Sequence, residues 1–167
     1  LLHEAEAGKK KVLRPREDIH LPAAVKRTAN PKSNFLWDNA AYLLGIDGKG
    51  KPDLTAKCFA TAVLLHHELL DDVDSPFSHA VLAFFDTWQP AEAAQHPALV
   101  DDYDKLIAGA NLVFYVNGQY PADDPAICAA WQAHYDSDSD APKQQCLVTG
   151  ELDEIAAVHP AIKGVRD

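Results

Sequence analysis

The chain contains no methionine and only three cysteines, Cys58, Cys128 and Cys146. The cysteines are odd in number and far apart, with no CxxC pair, which excludes a zinc ribbon or a dithiol redox motif. Reduced thiols in a cytoplasmic protein are the expectation that remains. No apolar run approaches the ~20 residues that a membrane helix needs, and no signal peptide is visible. A glycine-rich phosphate loop, a dinucleotide fingerprint and a GxSxG elbow are all missing, so those three chemistries have no support. Internal repeats are missing too. The start at Leu1-Leu2-His3-Glu4 and the stop at Val165-Arg166-Asp167 carry the expectation of a fragment cut at both ends from a longer polypeptide.

Positive charge is also scarce. Formal net charge is −10 over 167 residues, the reverse of the basic footprint of proteins that coat nucleic acid. The acid is uneven, gathered in Asp71-Asp72-Val73-Asp74, Asp101-Asp102-Tyr103-Asp104 and Asp136-Ser137-Asp138-Ser139-Asp140. The first stretch runs the other way, with Lys9-Lys10-Lys11, Arg14, Arg16, Lys26, Arg27 and Lys32. Hydrophobic residues make up 47% and charged residues 24%, enough apolar surface to rule out disorder along the whole length.

What is present reads as α+β: a central helical segment flanked by short antiparallel strands. One domain is expected over 1–167, made of a basic strand and loop region at 1–50, a helical region at 53–108 and a mixed region at 110–167. Short extended pieces are expected near 10–14 and 22–28, joined by a loop through Pro15 to Pro22. Asn30-Pro31-Lys32-Ser33-Asn34 is turn chemistry. Asp38 is the expected cap of a short helix that Gly45 ends. A longer helix is predicted from Asp53 to about Leu70, with Phe59, Ala62, Val63, His66, Leu69 and Leu70 at helical spacing. Ser75-Pro76 restarts a helix carrying Val81, Leu82, Phe84, Phe85 and Trp88. A third helical segment is expected over 98–108. Beyond it lie a strand at 111–116, a turn at Asn117-Gly118, a helix opened by Asp124-Pro125, and strands at 145–149 and 155–158.

Three constellations invite chemistry. His66-His67-Glu68 suggests a zinc protease, but the second ligand position holds Asp71, so a helix surface is the reading. The acidic runs suggest two-metal chemistry, but they fall at helix ends and in a loop, where solvated charge is the default. The third is the basic turn. Lys26, Arg27 and Lys32 suit phosphates, while Asn30 and Asn34 suit base edges; a plain solvated loop is its alternative. Lys163 and Arg166, on either side of Gly164, form a second candidate grip, for which a simple turn is an equal explanation.

Four ordered segments also carry a resemblance. Arg27-Thr28 with Asn34-Phe35-Leu36-Trp37-Asp38-Asn39 and Tyr42-Leu43-Leu44-Gly45 is the first. Gly109-Ala110-Asn111-Leu112-Val113-Phe114, Gln145-Cys146-Leu147-Val148-Thr149-Gly150-Glu151 and His159-Pro160-Ala161-Ile162-Lys163-Gly164-Val165-Arg166 follow it. Together they resemble the N-terminal part of the large subunit of the type I-C CRISPR Cascade, a Csd-type surveillance complex. The resemblance implies a non-catalytic module of an RNA-guided antiviral assembly. Such a subunit recognises a short flanking motif, the PAM, on target double-stranded DNA, helps start the R-loop and recruits the helicase-nuclease. Implied partners are the other Cascade subunits with their guide RNA, that nuclease, and phage anti-CRISPR proteins. Neither cofactor nor metal is expected, nor a membrane. A protein-interaction module docking one of those partners stays open as the second class.

Overall fold

The computed structural model describes residues 2–7, 10–15, 19–27, 30–137, 143–145, 150 and 152–154. The chain divides into two compact units, Leu1–Gln132 and Ala133–Asp167. Helices occupy the middle and short antiparallel strand pairs the ends, the α+β arrangement expected of the sequence.

The first unit opens with β1 (Leu2–Ala7) and β2 (Lys10–Pro15), paired antiparallel with Ala7 opposite Lys10. The expected strand near 22–28 does not form. Its described residues, 22–27, run without regular structure, and side-chain hydrogen bonds hold them to the turn that follows. β3 (Trp37–Asn39) pairs antiparallel with β4 (Asn111–Val113), joining segments far apart in sequence.

Helix α1 (Ala40–Leu43) starts one residue later than expected. Its cap is Asn39, whose side chain accepts from the Ala41 amide at 3.0 Å. Asp38 cannot serve as the cap because its carboxylate is engaged on the other side. Gly45 does end the helix, with φ +69°, a conformation that costs an L side chain about 1–2 kcal/mol. A Cβ there would also lie 2.8 Å from Pro90 Cγ. Gly45→Ala is therefore expected to lose about 2 kcal/mol of stability in chemical denaturation, since strain and overpacking act together.

Helix α2 (Pro52–Leu70) begins with proline in its first turn, where the missing amide costs nothing. Helix α3 (Pro76–Thr87) starts at Ser75, which closes a reciprocal capping box with Ser78. The third helical segment is shorter than expected. His96-Pro97 opens a run of turns, and only α4 (Tyr103–Ile107) is α-helical. Asn117 (φ 50°) and Gly118 (φ 84°) form the expected tight turn, bridged by Val116 and Gln119. Helix α5 (Pro125–Ser137) begins at Asp124, whose Oδ1 accepts from the amides of Ala126 and Ile127 at 3.0 Å each.

One face of α2, through Cys58, Ala62, His66, Leu69 and Leu70, packs with Val81 and Phe85 of α3, Phe35, Leu36 and Ile127 into the main core. Full burial of side chains such as Leu70, Val81 and Ile127 supplies roughly 1.5–3 kcal/mol each. A smaller cluster of Ala40, Leu44, Ile46, Ala93 and Leu106 seats α1 over α4.

In the second unit, β5 (Lys143–Gln145) pairs antiparallel with β6 (Leu152–Glu154). The expected strand at 145–149 is thus met at its first residue, with 146–149 outside the described residues; the one expected at 155–158 also lies outside them. Among the described residues, no helix is long and apolar enough to cross a membrane.

Candidate nucleic-acid interface

The basic turn is built on a buried carboxylate. Asp38 is 1% exposed, and a charge so placed needs paired partners to offset its desolvation. It has three. Oδ2 accepts from the Asn34 amide at 2.9 Å and from the Arg27 guanidinium, and Oδ1 accepts from the Asn39 amide at 2.7 Å. Arg27 makes two further local contacts. Its Nε donates to the Lys32 carbonyl at 2.7 Å, and its Cζ lies 4.2 Å from the centroid of the Tyr42 ring, within cation–π range. Burial, followed by a hydrogen bond with the Cys58 thiol, pushes the Tyr42 hydroxyl up to about 12, against the pull of Arg27. Tyr42 thus presents a neutral aromatic face to that cation.

The segment before the turn is strapped down at two points. The Val25 amide donates to Asn34 Oδ1 at 2.9 Å, and Trp37 Nε1 donates to the Pro22 carbonyl at 2.8 Å. Behind the turn, Leu36 adopts φ +63°, an uncommon region for a branched side chain. Both of its backbone polar groups are held: its amide donates to His66 Nε2 at 3.0 Å, and its carbonyl accepts from the Phe114 amide at 3.2 Å. Phe35 stacks on Trp131 at 5.2 Å between centroids and tilts against His66 at 5.3 Å.

His66 corrects the expectation of a helix surface. His67 and Glu68 do reach solvent, but His66 is fully buried. Its Nδ1 donates to the Ala62 carbonyl at 2.7 Å, leaving Nε2 as the acceptor for Leu36. Burial lowers its pKa to about 4, so the ring is neutral. The signal was legible, because His66 falls on the Ala62–Leu69–Leu70 stripe. His67 differs: its two ring nitrogens face Asp71 at 2.9 Å and Asp86 at 3.1 Å, and the hydrogen bond to Asp71 raises its pKa.

The seven candidate DNA contacts separate accordingly. Lys26, Asn30 and Lys32 are exposed. Arg27 retains 32% side-chain exposure but is committed to Asp38. Asn34 is 4% exposed with its amide oxygen taken by Val25, so the expected base-edge contact gives way to an internal brace. Lys163 and Arg166 lie outside the described residues. Among the described residues no group of three or more His, Cys, Asp or Glu side chains is arranged to hold a metal ion. Sequence reasoning missed Asp38 as the hub of the turn.

Comparison with known families places the chain among CRISPR-associated proteins. The family is described as CRISPR-associated protein (Cas_Csd1); it is matched over residues 1–167, and the chain belongs to it. A search of curated proteins found no match. Membership makes this a CRISPR-associated protein of the Cascade type.

Proposed function

We propose that the chain is a non-catalytic module of the large subunit of a type I-C Cascade, recognising the PAM on target double-stranded DNA through the basic turn. In that role it helps start the R-loop and recruit the helicase-nuclease, while guide RNA supplies most of the sequence specificity. The observation that carries the reading is the exposure of Lys26, Asn30 and Lys32 on a turn whose Ser33 and Asn34 are buried and whose Arg27 is paired with Asp38. The two lysines suit phosphates and Asn30 suits a base edge. Two phosphate contacts correspond to a salt slope near −1.8, a weak grip. The net charge of −10 opposes unspecific coating of DNA and leaves guide pairing to provide affinity.

The test uses the assembled complex with Lys26→Ala, Asn30→Ala and Lys32→Ala, titrated with duplexes that carry or lack the PAM. Each lysine variant is expected to weaken both duplexes and to reduce the salt slope by about 0.9. Asn30→Ala should weaken only the PAM duplex, by roughly 10-fold, as a lost base contact does. If all three variants bind as the parent does, the turn is not the DNA contact, and docking of a protein partner becomes the better reading.

A further inference from the structure

We infer that Arg27 and Asp38 form a positioning pair, whose ion pair presets the turn for DNA and takes no part in the contact itself. The inference rests on the DNA-contacting reading of the turn. It contradicts the simpler idea that Arg27 is one more phosphate grip.

The geometry points this way from both partners. Arg27 closes the turn with one side chain: Nε holds the Lys32 carbonyl where the chain leaves, and the same guanidinium reaches Asp38. Asp38 in turn takes the amides of Asn34, at the base of the turn, and Asn39, the cap of α1. One salt bridge therefore links the entrance of the turn, its exit, its base and the first helix of the fold. The Tyr42 ring, with its centroid 4.2 Å from Cζ, adds a cation–π contact to the guanidinium. A lysine cannot reproduce this, because an ammonium is a point donor with no planar fork and no flat face. Nor can asparagine replace Asp38: one of its two polar atoms becomes a donor and would face the amide or guanidinium donors that now surround the carboxylate.

Positioning and gripping make opposite predictions for Arg27→Lys. A phosphate grip keeps its charge, so the variant would bind DNA as the parent does. A positioning residue loses its function, because a misplaced Asn30 forfeits the base contact that carries roughly 10-fold of preference. The experiment compares Arg27→Lys and Asp38→Asn with Lys26→Ala and Lys32→Ala in the assembled complex, on PAM-bearing and PAM-lacking duplexes across a salt series. Hydrogen exchange of the Asn34 and Asn39 amides reads the brace directly, in the absence of DNA.

The expected result for Arg27→Lys has three parts. The preference for the PAM duplex falls by up to the roughly 10-fold expected of Asn30→Ala, the salt slope stays at the parent's value, and the two amides exchange faster. Parental binding by Arg27→Lys overturns the pair as a positioning device, whatever the lysine-to-alanine variants do. Fast exchange with an unchanged PAM preference overturns it equally, since the brace would then be structural only. The underlying DNA reading fails by a separate signature, parental binding by Lys26→Ala and Lys32→Ala. Tyr42→Phe is a control: it removes the hydroxyl bonded to Cys58 and keeps the ring face toward Arg27, so an unchanged PAM preference is expected, and a loss as large as that of Arg27→Lys would overturn the ring's part in the brace.

Discussion

His66→Ala is expected to destabilise the chain by about 5 kcal/mol in chemical denaturation. Removing a large aromatic side chain from a packed core costs about 3–5 kcal/mol. Here the ring touches Phe35, Phe85 and Phe114, with centroids 5.3, 4.7 and 5.9 Å away, so the void opens at the centre of the cluster. Leaving the buried Leu36 amide without an acceptor adds roughly 1–3 kcal/mol. That amide belongs to a residue at φ +63°, which persists only while its surroundings hold it. His66→Gln should recover part of the loss, because a terminal amide oxygen can reach toward the position of Nε2. An equal loss in both variants would mean that packing alone matters and that the Leu36 bond contributes little.

Acid should destabilise the protein between pH 6.5 and pH 4, ahead of general carboxylate titration. The folded pKa of His66, about 4, lies below the ordinary value of about 6.5. In that window the unfolded chain takes up a proton that the folded chain refuses. Stability is therefore fully present above pH 6.5 and falls as pH drops toward 4, by on the order of 3 kcal/mol. Protonation also removes the acceptor at Nε2, so the Leu36 hydrogen bond is lost in the same step. His67 works in the opposite direction. Its pKa is raised, first by the hydrogen bond to Asp71, so its contribution is full below pH 6.5 and is lost as pH rises through its folded pKa. Its 30% side-chain exposure keeps that contribution small through solvent screening. Denaturation curves from pH 4 to pH 8 check both signs: His66→Gln should flatten the acid limb and His67→Gln the alkaline one. An acid limb unchanged in His66→Gln would assign it to the carboxylates.

Much of the helical centre was legible residue by residue. Ser75 is a cap and Pro76 marks a first turn, α2 starts at Pro52, one residue before the expected Asp53, and the α2 stripe names its own buried face, because these signals act within a few residues of where they are written. Asn117-Gly118 is similar, since the turn needs positive φ at both positions and little else. The misses share a cause. The strand near 22–28 failed because a strand needs a partner edge, and side chains of Asn34 and Trp37 took its polar groups instead. The segment 98–108 shortened because its first residues close turns instead, the Leu99 and Val100 amides donating to the His96 carbonyl and the Asp102 amide to that of Leu99.

The sequence by itself determined the α+β class, most helix limits, the basic character of the turn and, through its ordered segments, the family. Those follow from local propensity, periodicity and residue identity, which do not depend on how the chain closes. Only the tertiary structure decided which polar residues of the turn face solvent. Lys26, Asn30 and Lys32 do; Asn34 is buried with its side chain on the Val25 amide, and Arg27, though still partly exposed, is tied to Asp38, because a buried charge must be paired and hydrogen-bonded where it lies.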